Sequence, residues 1–498
     1  MQVELHNRRP VGTWLRVKLF TEKLNNPLGF GLLLVCAMAF GGVVALLPPN
    51  LAMLAVAGLI GVPVVLTCVF NLHFGVMACV TVAFFVDFLK KYSSAPFGTA
   101  LDGLMLLLLF GLLARLVKSR DLSFAKNPVS IFVIAWIYYT VLQVLNPWAL
   151  SKMAWIFTVR SLALLLFIYF VACYAFNSYR RIAMAVKIII GLAFLAALYS
   201  MKQEFVGFST TELTWLYADE KRLQLIFQWD RLRVFSFFSD PTTFGILMGY
   251  MGSFCFILLT GPFEFWKKIM LGIAGSCMML GMAFAGSRTP FVLVPLAVVF
   301  YTVMTLNRTT LIVFAIFAVL GTGFIMKSTG NAVVWRIQSA FKPSEDASVD
   351  VRLENQAKIQ PFIQKHPFGA GLGSTGEWGR RFTPGTWLAS FAHDSLYVRL
   401  AAEAGWVGLL IYMGLLFAAF REGVRSFFRV RNKRIKVLYL GLTCNVLLLM
   451  TASYPQEAIT ILPTSIIFYL SIAAIVRLKD FDDPGPTETA AIPAPIVG

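Results

Sequence analysis

The residues best equipped for chemistry stand at the start of an apolar run, FAHDSLYVRLAAEAGWVGLL, Phe391 to Leu410. His393 comes first. An imidazole titrates near pH 6.5, so a useful fraction is neutral and able to take a proton from a hydroxyl. Asp394 follows as a second candidate base, although adjacency in sequence does not orient the ring. Arg399 and Glu403 lie deeper in the run, where a charge costs free energy unless it is paired or has a task. Their i,i+4 spacing predicts that they neutralise each other and brace the helix.

Four arginines approach the same boundary. Arg231 and Arg233 precede FSFFSDPTTFG, Arg288 sits in AGSRTP between two apolar segments, and Arg352 opens an amphipathic stretch. Arginine presents a fixed fork of donors suited to phosphate oxygens, and several converging at one membrane face would suit a lipid-linked diphosphate. The plainer readings are a solvated loop face for Arg231 and Arg233, and pairing with Asp350 or Glu354 for Arg352. Desolvation makes a working partner the better reading for Arg288. Arg160, a comparable charge within an apolar run, has no partner evident in the sequence. The loop aromatics Trp215, Tyr217, Phe235, Phe237, Phe238, Trp378 and Trp387 would stack on sugar rings or form an interfacial belt. Four scattered histidines give no ligand spacing, and the seven cysteines all fall in apolar runs. Neither a metal site nor a disulfide framework is expected, and no cofactor is implied.

The elements that position these residues are membrane helices. The chain has 498 residues, 58% hydrophobic and 14% charged, with mean hydropathy +0.74. A soluble domain carries about 25% charged residues. Apolar runs of spanning length recur throughout, so the expected fold is all-α, a polytopic transmembrane bundle of about fourteen spans. The runs centre near residues 38, 60, 81, 109, 137, 166, 191, 253, 277, 298, 317, 408, 445 and 467. The net charge of +18 does not point to nucleic acid, because the basic residues cluster in short connections such as NSYRR and REGVRSFFRVRNKRIK. That is the positive-inside pattern, and it puts both termini in the cytoplasm.

The expected organisation is a basic leader at 1–27 and eleven spans over 28–326, interrupted by an outer loop at about 201–243. A large outer loop at 327–392, three spans over 393–477 and a disordered inner tail at 478–498 complete it. Within the large loop, SVDVRLENQAKIQPFIQ spaces Val351, Leu353, Ala357, Ile359, Phe362 and Ile363 as one helical face. Asp350 or Ser348 would cap that helix, and His366-Pro367 would end it. GAGLGSTG follows a helix rather than a strand, so it reads as a turn and not a nucleotide cradle.

The order DVRLENQAKIQPFIQKHPFGAGLGSTG, then AHDSLYVRLAAEAGWVGLLIYMGLL, resembles the signature region of the O-antigen ligase and O-antigen polymerase superfamily. These are bacterial inner-membrane enzymes with many spans and one large periplasmic loop. The clear likeness covers about 352–414, and RLRVFSFFSDPTTFG and AGSRTP fit more loosely. The resemblance implies inverting, metal-independent transfer of a glycan from undecaprenyl diphosphate to an acceptor hydroxyl on lipid A-core, another glycan or a protein. It places the loop histidine on His393, the loop arginine on Arg352, the upstream arginine on Arg231 or Arg233, and the inter-span arginine on Arg288. Asp394 departs from the asparagine or serine expected after the histidine, and Glu403 comes one residue late. The rival reading is a lipid-glycan flippase or other transporter, which would spread its charges along a central cavity and often show an internal repeat. Convergence of His393 with the arginines at one outer face favours the transferase.

Overall fold

Asn71, Asn127, Ser151, Ser178 and Asp240 each hold extended backbone and accept a hydrogen bond from a backbone N–H two or three residues on, so each starts a helix. The computed structural model describes residues 61–482 apart from 94, 229, 230, 328–337, 339 and 342–346, together with 31, 34, 35, 37–39, 41, 42 and 46. The chain forms two units, 1–67 and 68–498. In the first, the described residues around position 38 and at 61–67 are helical. The basic leader and the tail from 483 lie outside the described residues.

The second unit is a helical bundle. Its helices are α1 (Leu72–Tyr92), α2 (Phe97–Ser119), α3 (Pro128–Leu142), α4 (Lys152–Ala175), α5 (Tyr179–Phe205), α6 (Thr210–Tyr217), α7 (Glu220–Ile226), α8 (Pro241–Leu259) and α9 (Phe265–Ala285). There follow α10 (Arg288–Thr305), α11 (Arg308–Met326), α12 (Ala347–Lys365), α13 (Gly376–Phe382), α14 (Trp387–Ser390), α15 (Leu396–Arg429), α16 (Lys433–Ala452) and α17 (Thr464–Leu478). A two-stranded antiparallel hairpin, β1 (Phe227–Gln228) and β2 (Arg231–Leu232), interrupts them. Among the described residues eleven helices are long and apolar enough to cross a membrane, each on one of the expected centres. The centre near 467 falls on α17, whose fifteen residues are too short for that length criterion. Every residue of α17 except Arg477 is buried, and with α8 and α16 it forms the middle of the bundle.

Opposite ends of the bundle differ in chemistry. At one end Lys479 pairs with Glu422 at 2.7 Å, and the Asp482 carboxylate caps the backbone N–H groups of Arg431 and Asn432. The other end gathers the two polar loops. There Arg233 Nε donates to the Ala285 carbonyl at 3.0 Å, and Ser287 Oγ donates to Thr242 Oγ1 at 3.2 Å.

The inward face of α12 differs from the expected one. Val351, Leu353 and Ala357 are exposed, while Arg352, Asn355, Gln356, Ile359, Phe362 and Ile363 turn inward. The first half of the helix therefore presents polar groups to the interior, and only its second half packs on an apolar cluster around Ile359, Ala370, Leu388 and Ala402.

The GAGLG segment clamps a helix break. Gly405 has φ 71° and ψ 177°, which divides α15 into two pieces. Such a break leaves backbone groups without their i+4 partners. The Ala402 and Glu403 carbonyls accept from the N–H groups of Ala370 and Gly371 at 2.9 and 3.0 Å, and the Ala404 carbonyl accepts from Tyr139 Oη. Val407 N–H donates to the Pro367 carbonyl at 3.3 Å. A side chain at 405 would meet that carbonyl and would also need an unfavourable positive φ. Gly405→Ala is expected to destabilise the protein by about 2–3 kcal/mol or more. Thermal melting of the detergent-solubilised protein measures this, and an unchanged melt would show that the break is not required.

Candidate active site

The site starts where α15 does. Leu396 N–H donates to the Ser453 carbonyl at 3.1 Å, and Tyr397 Oη donates to the Met450 carbonyl at 2.6 Å. The head of α15 is thus tied to the connection 453–463 that follows α16. That tie brings Glu457 to His393. Glu457 Oε1 lies 2.8 Å from His393 Nδ1, at ion-pair distance but out of line for a hydrogen bond. Its other oxygen, Oε2, accepts from Arg399 NH1 at 2.6 Å and from Thr460 Oγ1 at 3.3 Å.

The chain of contacts continues inward. Arg399 Nε also lies 3.5 Å from Glu403 Oε1. Glu403 is buried and accepts from the Thr375 backbone and hydroxyl at the start of α13. Arg399 therefore bridges two carboxylates, one on its own helix and one on the 453–463 connection. Burial pushes the Glu457 carboxyl up, but contact with His393 and the Arg399 guanidinium outweighs it and holds the group down at about 2. An ionised carboxylate beside Nδ1 orients the ring.

The far ring nitrogen faces Gly376. A Cβ built there would stand 3.1 Å from His393 Nε2, and Gly376 has φ 63°, so glycine both makes the turn and leaves room at the nitrogen. Among the described residues Nε2 has no hydrogen-bond partner. His393 lines a cleft of about 280 Å³, counting its open mouth, with Arg352, Gln356, Asp394 and Tyr454. Asp394 Oδ2 lies 3.5 Å from Arg352 Nε, so Arg352 pairs with Asp394 rather than with Asp350 or Glu354.

Arg288, the first residue of α10, is close enough to Arg352 for their charges to interact. Arg233 is buried behind it. Besides the Ala285 carbonyl, Arg233 reaches the Leu225 carbonyl and Gln228 Oε1, both at 3.4 Å. Burial pulls its guanidinium down to about 10, with Asp240 acting against that shift. Arg233 thereby clamps the turn that presents Arg288. Arg231, two residues away on the strand, instead pairs with Glu204 at 2.7 Å and lines no part of the cleft. Arg160 pairs with Asp102 at 3.3 Å.

The loop aromatics have different surroundings. Phe237 and Phe238 are buried among Phe84, Phe85, Phe88 and Tyr199, and Phe235 is buried against Phe208 and Trp215. Lys91 holds their segment by donating to the Ser236 and Phe238 carbonyls at 3.2 and 2.8 Å. These three rings serve packing and are not open to a sugar. Trp378 stacks on Phe157, and Trp387 is half exposed against Phe362 and Phe391.

Glu457 is the residue that sequence reasoning passes over. Its one signal is that it is the sole acid between Lys433 and Leu478, in a short connection between apolar runs. What makes it informative is the fold, which sets this connection against the head of α15.

Residues 273–413 match a family model described as O-antigen ligase. The matched segment runs from within α9 into α15, so it contains Arg288, Arg352 and His393 but not Arg231, Arg233 or Glu457. No curated protein matches the chain.

Proposed function

We propose, from the match of residues 273–413 to a family model described as O-antigen ligase, that this multi-pass membrane protein is a glycosyltransferase. It moves a glycan from an undecaprenyl-diphosphate carrier to an acceptor hydroxyl at the periplasmic face of a bacterial inner membrane. The observation that carries the reading is one cleft that joins a carboxylate-held histidine to an arginine rim, His393–Glu457 beside Arg352. The basic residues at the far end of the bundle support a cytoplasmic placement of both termini.

In the proposed step the acceptor oxygen bonds to the anomeric carbon as the bond from that carbon to the diphosphate oxygen breaks. The hydroxyl proton passes to His393 Nε2, whose opposite nitrogen rests on Glu457. The bonding pair leaves with the diphosphate, and the new bond forms on the opposite face, so the centre inverts. Arg352 and Arg288 meet the charge that builds on the leaving group. Asp394 holds Arg352 at the rim, and this occupies the second candidate base.

Replacing Arg352 with alanine is expected to lower transfer by about 10²-fold, the usual effect of removing one donor from an anion hole. Arg352→Lys keeps the charge but not the fork, and recovers part of the rate. Transfer by the purified protein in nanodiscs measures both, and an unimpaired Arg352→Ala would remove this arginine from the leaving-group site. The test of the whole reading is mass spectrometry of lipid-linked glycans from cells lacking the protein. Accumulation of single repeat units indicates a polymerase, and accumulation of long chains indicates a ligase to lipid A-core or protein. No change in any lipid-linked glycan would overturn the transferase and bring transport forward.

A further inference from the structure

The short helix α13 carries positive charge that no described carboxylate offsets. Arg380 and Arg381 are exposed, while Trp378 and Phe382 are half-buried. Both rings lie nearly parallel to Phe157 of α4, at centroid distances of 4.8 and 5.4 Å and angles of 25° and 23°. The Arg381 guanidinium stands over all three, 6.0 Å from Phe157 and Trp378 and 5.5 Å from Phe382. Glu377 precedes Arg381 by four residues, the helical spacing for an ion pair. Yet among the described residues neither Glu377 nor any other carboxylate pairs with Arg380 or Arg381. Aromatic contact holds a guanidinium in place without neutralising it. Arg160 on α4 also lies over Phe157, at 5.7 Å, but Asp102 at 3.3 Å offsets its charge. The uncompensated cations therefore stand on the loop helix and not on the span.

This cluster is built onto the candidate active site. Thr375, at the head of α13, gives its N–H and hydroxyl to Glu403, the carboxylate that shares Arg399 with Glu457. Gly376 then passes His393 Nε2, and Arg381 follows five residues later, about 8 Å along the helix axis. No residue of α13 lines the cleft that holds Arg352. The histidine therefore has two sets of cations beside it, one at the cleft rim and one on α13.

We infer that α13 and Phe157 form the acceptor subsite, and that it takes an acidic saccharide, one bearing carboxylate or phosphate groups. The half-buried rings offer apolar contact to the C–H face of a sugar, and Arg380 and Arg381 meet its charge. The inference rests on the proposed transfer to an acceptor hydroxyl and adds the class of that acceptor. The same residue types also anchor proteins to phospholipid head groups. That use would call for an unpaired cation on the span, whereas Arg160, the cation there, has its carboxylate.

The experiment uses the full chain in phosphatidylcholine nanodiscs and reads binding of soluble oligosaccharides by saturation-transfer NMR. The probes are uronate-bearing, phosphate-bearing and neutral oligosaccharides of equal length. One acidic set should bind about fivefold more tightly than the neutral set, the factor that one or two exposed ion pairs give. Changing Arg380 and Arg381 together to Gln should bring that binding down to the neutral level. Both side chains are exposed, so this protein should melt as wild type. Trp378→Ala should weaken binding about tenfold, and Trp378→Phe should recover part of it. Trp266→Ala, at an exposed ring near the start of α9, should leave it unchanged. In the transfer assay the α13 variants should raise the KM for acceptor about tenfold with little change in kcat, a split that a displaced His393 would not give. Equal binding of all three sets, or acidic binding that survives the arginine changes, would overturn the assignment. Phosphatidylglycerol retained by wild type and lost from the arginine variant in native mass spectrometry would make α13 a lipid anchor and overturn it as well. Saccharide binding needs no donor, so a failed transfer assay with intact acidic binding would count against the transferase alone.

Discussion

Replacing His393 with alanine is expected to reduce glycan transfer by about 10³-fold, within the range that a positioned general base contributes. The acceptor hydroxyl is a poor nucleophile, and Nε2 is the ring nitrogen away from Glu457 on a histidine that lines the cleft. Asp394 does not stand in as base, because its carboxylate faces Arg352 at 3.5 Å. The fold should survive the change, since the contact from Arg399 to Glu457 at 2.6 Å does not pass through the histidine. Transfer in nanodiscs, read beside a thermal melt of the same sample, separates the two effects. Retention of wild-type transfer by a folded His393→Ala protein would remove the base assignment.

The extent to which this site is legible in the sequence follows from what one dimension can hold. Span-length apolar runs are visible because the bilayer sets their length, and eleven of the expected centres fall on helices of that kind. The expected centre near 467 also falls on a helix, α17, but one of fifteen residues, where burial by neighbouring helices replaces lipid as the apolar environment and a shorter helix suffices. His393, Arg288 and Arg352 stand out because charge beside hydrocarbon is costly and therefore informative. Their partners do not stand out. Arg352 has two acidic neighbours within two residues in sequence, yet it pairs with Asp394 on another element. Phe235, Phe237 and Phe238 look like a stacking surface in a polar loop, but Lys91 from α1 holds that loop against the bundle and buries the rings. The Arg399 and Glu403 spacing reads correctly as a pair, but the second carboxylate on Arg399 arrives from the connection after α16. Partner choice here is a tertiary property, set by which outer connections the bundle brings together.

That tertiary partner carries the last expectation. Glu457→Gln should lower kcat by about 10²-fold or more with little change in KM, as when a buried carboxylate behind a histidine base is neutralised. The amide keeps the shape of the side chain but not the charge that favours the imidazolium formed as the proton arrives. Glu457→Asp should fall between the two, having the charge but a shorter reach. A stability measurement gives an independent readout. The folded protein holds this carboxyl at about 2 against an ordinary 4.5, because His393 and Arg399 outweigh the upward push of burial. A folded value below the unfolded one means that the ionised group stabilises the fold above the ordinary value and loses that contribution as pH falls through it toward the folded value. The difference in melting temperature between wild type and Glu457→Gln should therefore be full at neutral pH, narrow below about pH 4.5 and nearly close by about pH 2. A difference that stays constant down to about pH 3 would mean that the pair does not hold Glu457 ionised, and the orienting role given to it would fall with that result.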